Sequence, residues 1–381
     1  MNNFTFCNPT KIIFGRGSVE RLRKYIPEGC KVLLTYGGGS VKRNGIYDQV
    51  MAQLEGYSVV PFGGIEANPD CSTVDRAIEL VRSEGCDFIL AVGGGSVIDA
   101  SKIIAMGVEA PMSSWEMVKS GYYGEALPLG TVLTVPATGS EMNSGAVLSN
   151  RAINEKFAIT CHFPLFSILD PTYTYTLSEH QVACGVADTF MHTLEQYLTS
   201  TGQSGVMDRL AEGILLNLLD IAPSLMKGNN DYDMACEYML SATFGLNYML
   251  SMGVEQDWMT HRIGHEITAL TGTTHGASLM MVLPAVMEVF SEEKRGKIVQ
   301  MGRRVFGITG LSEESTVTAT IQAVVDFIHS LGLAASMKEG GISARVAQEI
   351  ITRFEQRGTI LGERGIATPD RIREVINVSM R

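Results

Sequence analysis

The first 110 residues alternate between short, β-rich apolar runs and longer stretches whose apolar positions recur at helical spacing. That is the pattern of βαβ units carrying a parallel sheet. Residues 31–36, 57–62 and 87–92 are predicted as strands, with a further strand over 131–135. Between the second and third strands, residues 73–83 place Val74, Ala77, Ile78, Leu80 and Val81 at helical spacing. From Leu177 onward strand-like alternation nearly vanishes. Apolar positions at i, i+3 and i+4 predict helices over 178–198, 204–225, 233–249 and 258–270. Asp170-Pro171 breaks the preceding apolar run. The expected architecture is an α/β N-terminal domain with a parallel sheet over residues 1–176, followed by an all-helical domain over 177–381. The run over residues 4–14 reads as an edge strand able to pair with a second subunit, which predicts a homodimer.

Composition narrows the class of protein. A chain of 381 residues, 45% hydrophobic and 19% charged, is globular and exceeds the size at which one core usually divides in two. Its net charge of -11 is spread over short alternations of sign with no Lys/Arg run, so no nucleic-acid partner is expected. No run approaches the roughly 18 apolar residues of a membrane span, and the first six residues lack a charged n-region and an apolar core. A cytoplasmic protein without a membrane partner is expected. Seven cysteines are dispersed and never spaced as CxxC. That argues against a disulfide framework and a thiolate metal site, and reads most of them as small buried hydrophobes.

Two glycine clusters carry candidate binding chemistry. Gly93-Gly94-Gly95-Ser96 follows the strand ending at Val92 and precedes a helical run over 97–107. Glycines there let backbone N–H groups approach an anion, and a helix N-terminus adds unsatisfied donors and its dipole, so a pyrophosphate fits. The plain alternative is a flexible strand-to-helix turn. Asp99 and Lys102, one turn further on, are placed either to tie down the loop or to meet phosphate and ribose oxygens. Gly37-Gly38-Gly39-Ser40 follows the strand ending at Tyr36, where an NAD-binding unit often places an acid for the ribose 2′-hydroxyl. Here Ser40, Lys42 and Arg43 stand instead. They suit a 2′-phosphate, hence NADP(H), or else form a solvated basic helix start. Neither cluster has GxGxxG spacing after the first strand, so an ordinary Rossmann dehydrogenase is the weaker reading.

The helical half holds a candidate metal constellation. Asp188 and His192 are four apart on one predicted helix, His261 and His265 repeat the spacing on another, and His275 follows ten residues later. Pairs at i, i+4 share a helix face, a chelating geometry. Imidazoles with one carboxylate suit Fe(II) or Zn(II) without a preference between them. A hydrogen-bonded structural role is the alternative for any one histidine.

These motifs occur in the same order in the iron-containing alcohol dehydrogenase family: Gly94-Gly95-Ser96 with Asp99 and Lys102, Pro136-Ala137-Thr138-Gly139-Ser140-Glu141, Asp188 with His192, and His261 with His265 and His275. The chain resembles that family over nearly its whole length. Gly37-Gly38-Gly39-Ser40-Val41-Lys42, Phe62-Gly63-Gly64-Ile65-Glu66 and Gln256-Asp257-Trp258 are most similar to its NADPH-dependent butanol dehydrogenase and aldehyde reductase branch. The resemblance implies a dinucleotide-binding domain and a helical metal-binding domain, with cofactor and metal meeting in the cleft between them. It implies Asp188, His192, His261 and His275 as metal ligands, with His265 a neighbour that serves in proton relay. It places Gly94, Gly95 and Ser96 on the pyrophosphate, Thr138 and Lys156 near the nicotinamide half, and Ser40 near the 2′-phosphate, with Gly37, Gly38 and Asp99 completing the cofactor site. It puts Asn68 near the adenosine, although an Asn-Pro turn accounts for Asn68 equally well. The implied activity is hydride transfer between NADP(H) and a small aldehyde or primary alcohol.

Two features depart from that pattern. The segment between Met106 and Pro128 is shorter, which puts chain-length preference in doubt, and Glu255 replaces a more usual proline. Rival readings are an NAD-dependent glycerol or diol dehydrogenase of the same fold, a dehydroquinate synthase relative, and a non-enzymatic metal- and nucleotide-binding module. A synthase would need a basic cluster for a phosphorylated substrate, which the sequence does not show.

Overall fold

In the computed structural model, residues 1–200, 202–228 and 230–381 are described. Eight strands are present among them: β1 (Lys11–Phe14), β2 (Lys31–Tyr36), β3 (Ser58–Phe62), β4 (Phe88–Gly94), β5 (Leu129–Val135), β6 (Gly145–Asn150), β7 (Glu155–Thr160) and β8 (Phe166–Leu169). Six form a wholly parallel sheet in the order β1-β8-β5-β4-β2-β3. The central strands β4 and β5 are apolar and buried along almost their entire length, as strands covered on both faces must be. One face packs on α3 (Cys71–Glu84) and α4 (Gly95–Gly107) through residues such as Ile78, Val81, Ile98, Ile103 and Ile104. The other buries Leu22, Val32, Leu34, Val50, Phe88, Leu90 and Phe166. Each such side chain contributes about 1.5–3 kcal/mol on burial.

The remaining helices are α1 (Ser40–Arg43), α2 (Ile46–Gln53), α5 (Ser114–Ser120), α6 (Glu179–Tyr197), α7 (Gly205–Leu225), α8 (Tyr232–Gly245), α9 (Met259–Thr271), α10 (His275–Met280), α11 (Leu283–Val289), α12 (Arg295–Arg304), α13 (Glu313–Ser330), α14 (Ala344–Arg357) and α15 (Pro369–Ser379). The chain divides into two compact units. One comprises Cys7–Leu177 and residues 229–247 and carries the sheet. The other comprises Met1–Phe6, Ser178–Gly228 and Tyr248–Arg381 and is built from helices. Local chemistry sets several ends. Ser178 and Gln181 make a reciprocal capping box at the start of α6, and Asp70 caps α3 by accepting from Ser72 N.

Four sequence expectations need adjustment. The edge strand expected over residues 4–14 is confined to Lys11–Phe14, which does lie at a sheet edge; Pro9, lacking a backbone donor, precedes it. The helix expected over 233–249 stops at Gly245, and Tyr248 takes a left-handed φ of 70°. β8 and the separate antiparallel pair β6–β7 lie outside the predicted strands: β8 has only four residues, and β6 and β7 mix polar with apolar positions. Finally, the loop expected between strand and helix at Gly93-Gly94-Gly95-Ser96 does not exist. β4 runs through Gly94, with a register shift at Gly93/Gly94, and α4 begins at Gly95.

Candidate metal centre and dinucleotide-binding loops

Three helices of the helical unit carry the metal candidates. On α9, Met259, Ile263 and Ile267 face a core with Val282, Val286, Ile350 and Phe354. His261 and His265, two positions out of phase, therefore project from the opposite side. On α6, Asp188 and His192 lie one turn apart. α9 ends at Gly272 with φ 74°, and Thr274 then starts α10, which places His275 at its first position. Gly276 allows this placement. A Cβ there would lie 2.2 Å from the Cys184 carbonyl oxygen, so only glycine lets α10 press backbone to backbone on α6.

The result is a convergence on one oxygen. Asp188 Oδ1 is buried and has no hydrogen-bond partner among the described residues. His192 Nδ1, His261 Nε2 and His275 Nε2 stand 3.7, 4.0 and 3.7 Å from it, beyond hydrogen-bond range. One ligand atom each from Asp188, His261 and His275 lies within 4.8 Å of the others. His192 borders this trio, its ring stacked on His261 with centroids 4.7 Å apart. Nitrogen and oxygen ligands about 2.1 Å from a shared tetrahedral cation stand roughly 3.4 Å apart, close to these separations. Asp188, His192 and His261 are 3–6% exposed, and burying a carboxylate oxygen without a partner is costly unless a cation meets it. The residues therefore fit a divalent metal. His265 sits alongside, its ring centroid 5.1 Å from His275 and 6.3 Å from His261. Burial pushes the Cys184 thiol up to about 11.

One residue of this centre is absent from the sequence-derived candidates. Glu195, on the Asp188 and His192 face of α6 at i+7 and i+3, accepts from the backbone N–H groups of Thr260 (2.7 Å) and His261 (3.3 Å) through Oε1. Its Oε2 meets His261 Nδ1. Burial, then the Asp257 charge, push the Glu195 carboxyl up to about 8, and the two amides pull it back. A cation at the histidine cluster would act in the same sense as those amides and favour the carboxylate. The spacing 188, 192, 195 is the signal that the sequence offers for it.

In the sheet-bearing unit, the cofactor candidates fall into two groups. Around the start of α4, glycines answer to packing. A Cβ on Gly93 would lie 2.6 Å from Val97 Cβ, one on Gly94 2.9 Å from Val135 Cβ, and one on Gly95 2.5 Å from Thr138 Oγ1. Thr138 is thus in contact with the helix start. Ser96 Oγ accepts from Asn68 N at 3.3 Å, and Asn68 Oδ1 accepts from Lys156 Nζ at 2.7 Å. Gly94, Gly95, Ser96, Asn68, Thr138 and Lys156 are thereby brought together. Asn68 holds a left-handed φ of 55°, in keeping with the turn reading of this residue.

Asp99 and Lys102 tie down the neighbouring loop. Asp99 accepts from Ser140 Oγ at 2.5 Å and Val147 N at 2.9 Å. Lys102, 1% exposed, donates to Ser140 Oγ, Asn143 Oδ1 and the Gly145 carbonyl. Burial pushes its ammonium down to about 8, with Asp99 opposing, and pushes the Asp99 carboxyl up against the pull of Lys102. Its buried position withholds Lys102 from a phosphate.

The second group lies at the end of β2. Gly37 abuts the Ile65 carbonyl, Gly38 and Ser40 are open to solvent, and Gly39 takes the left-handed φ of 95° that starts α1. Lys42 and Arg43 are exposed, and Lys42 Nζ sits 4.7 Å from the ring centroids of both Tyr36 and Tyr47.

Residues 9–171 match the family described as iron-containing alcohol dehydrogenase, and residues 182–373 match the C-terminal description of the Fe-containing alcohol dehydrogenase family. The chain belongs to the iron-containing alcohol dehydrogenase family. It is 43% identical to the NADPH-dependent aldehyde reductase YqhD of Escherichia coli, covering 98% of this chain and 99% of that protein. It is 39% identical to a probable NADH-dependent butanol dehydrogenase of Bacillus subtilis over 94% of this chain and 95% of that one. The solved structure of an NADH-dependent butanol dehydrogenase A from Thermotoga maritima superposes with a TM-score of 0.94 at 33% identity, covering 100% of this chain and 99% of that chain. Among the described residues, no helix is long and apolar enough to cross a membrane.

Proposed function

We propose that this protein is a metal-dependent oxidoreductase that transfers a hydride between NADP(H) and a small aldehyde or primary alcohol. The observation that carries the reading is the convergence of His192, His261 and His275 nitrogens on the buried, unpartnered Asp188 Oδ1. In this reading those four residues hold one Fe(II) or Zn(II), and the N- and C-terminal parts, residues 1–176 and 177–381, serve as the cofactor and metal domains. When bound, the metal supplies a Lewis acid that stabilises the negative charge developing on the carbonyl oxygen, and NADPH supplies the hydride.

The chain's own residues do the rest. The N–H groups opening α4 at Gly95 and Ser96 bind the pyrophosphate at the positive end of a helix dipole. Thr138 and Lys156 serve the nicotinamide half and Asn68 the adenosine, while Asp99 holds the neighbouring loop through Ser140 and Val147. Relatives are named for both NADPH and NADH, so the preference rests on residues 37–43. These contain no acid but offer Ser40, Lys42 and Arg43, donors suited to a 2′-phosphate. His265, beside the cluster, holds the proton that the alcohol oxygen receives. A homodimer pairing through the β1 edge completes the proposal, as does a cytoplasmic setting, which the seven free thiols favour.

The test is oxidation of reduced cofactor with butanal, using NADPH and NADH in parallel, on enzyme stripped by chelator and reloaded with Fe(II) or Zn(II). Metal-restored turnover favouring NADPH is expected. Turnover that ignores chelation would overturn the metal reading, and preference for NADH would overturn the cofactor reading.

A further inference from the structure

The His261 imidazole is gripped on the side away from the cluster. Its Nε2 faces Asp188 Oδ1, while its Nδ1 meets Glu195 Oε2. Glu195 is 3% exposed and sits on α6, the helix that also carries Asp188 and His192. Its other oxygen takes the Thr260 and His261 amides, the second and third of α9, so one carboxylate joins the two helices and fixes both the backbone and the ring of His261. Glu195 is itself anchored. Its carbonyl accepts from Asp257 N at 2.9 Å, and Asp257 accepts from Met259 N through Oδ1 and from the buried Lys294 through Oδ2, both at 2.7 Å. Trp258, held at a left-handed φ of 74°, closes the other side with its ring edge-on to His261 at 5.2 Å.

We infer that Glu195 is the positioning residue of the metal centre: accepting the Nδ1 proton of His261, it fixes the tautomer and ring orientation that present the Nε2 lone pair to the cation. The inference rests on the metal reading above. An imidazole carries one proton when neutral, and whichever nitrogen holds it cannot ligate. A carboxylate at Nδ1 settles that choice and makes Nε2 more basic; loss of such a partner typically weakens metal binding by about 10–100-fold.

Glu195→Gln tests this. The amide can still cap α9 through its oxygen, but its NH2 then faces His261 Nδ1 and favours the tautomer with the proton on Nε2. Dissociation constants for Zn(II) are read by competition with a chromophoric chelator, alongside thermal unfolding of the metal-free protein. The expected result is a rise of about 10–100-fold in the dissociation constant, with the metal-free midpoint shifted by only a few degrees. Glu195→Asp, which keeps the charge but falls a methylene short, is expected to fall between the variant and the wild type. If wild type binds Zn(II) and Glu195→Gln binds it equally tightly, the inference is wrong; if wild type itself binds none, the metal reading fails first. Should Glu195→Gln not fold, the comparison of Glu195→Asp with wild type decides, equal affinity overturning the inference.

Discussion

Lys156 donates to Asn68 Oδ1 at 2.7 Å, and Asn68 in turn donates its backbone N–H to Ser96 Oγ at 3.3 Å. A charge on β7 is thereby linked through Asn68 to Ser96, the second residue of α4. Replacing Lys156 by Met removes a charge-assisted hydrogen bond, worth about 1.5–3 kcal/mol. The expected outcome is a KM for NADPH raised by roughly 10–100-fold with a smaller loss in kcat. Steady-state kinetics at saturating aldehyde checks it, and an unchanged KM would remove Lys156 from the cofactor site.

Lys42 and Arg43 are exposed at the end of β2, with Lys42 held over Tyr36 and Tyr47. The pair can serve a 2′-phosphate through charge and N–H donation. Lys42→Ala combined with Arg43→Ala is expected to lower the ratio of kcat/KM for NADPH over NADH by about tenfold or more, leaving the NADH value nearly unchanged. The wild-type preference should also weaken as salt is raised. Equal losses with both cofactors would show that these residues act on the fold, not on the phosphate.

Much of this architecture is legible in the amino-acid sequence. The strand at residues 31–36 follows from a β-rich apolar run, the helical second half from sustained i, i+3, i+4 periodicity, and the metal cluster from i, i+4 spacing on two helices. Short elements are less legible: β8 has four residues, and β6–β7 form a two-stranded sheet apart from the main one. The glycines of Gly93-Gly94-Gly95 suggest anion approach, yet each is required by a neighbour: Val97, Val135 or Thr138. Glu195 does not stand out in the sequence because a carboxylate in a helix is ordinarily a surface residue, and only its hydrogen bonds to the start of α9 show what it holds. Lys102 illustrates the same point, for its partners lie 38 to 43 residues away.

Burial holds the Lys102 ammonium at about 8, against an ordinary value of 10.5. A lysine depressed in the folded state releases its proton there before the unfolded chain does. Between about pH 8 and 10.5 the unfolded chain therefore binds more protons at this position, and the Lys102 contribution to stability rises with pH. Lys102→Met lacks that rise and also strands the oxygens of Ser140, Asn143 and Gly145. Its urea midpoint should lie below that of wild type, and the gap should widen from pH 8 to pH 10. A gap that narrows over this window would mean that Lys102 is held charged by its partners.

His265 shares a helix face with His261, yet its ring lies beside the cluster, 5.1 Å from that of His275 and 6.3 Å from that of His261. The nitrogens that converge on Asp188 Oδ1 belong to its neighbours. A relay role and a ligand role then predict different things. A proton donor positioned at the reacting oxygen contributes about 10²–10⁴-fold to rate, so His265→Ala should lower kcat by that order while zinc content after dialysis stays equal to wild type. Under the relay role, small exogenous imidazole should also restore part of the rate by filling the space vacated beside His275. Loss of bound metal in step with activity would instead make His265 a ligand and reassign the fourth position now given to His192.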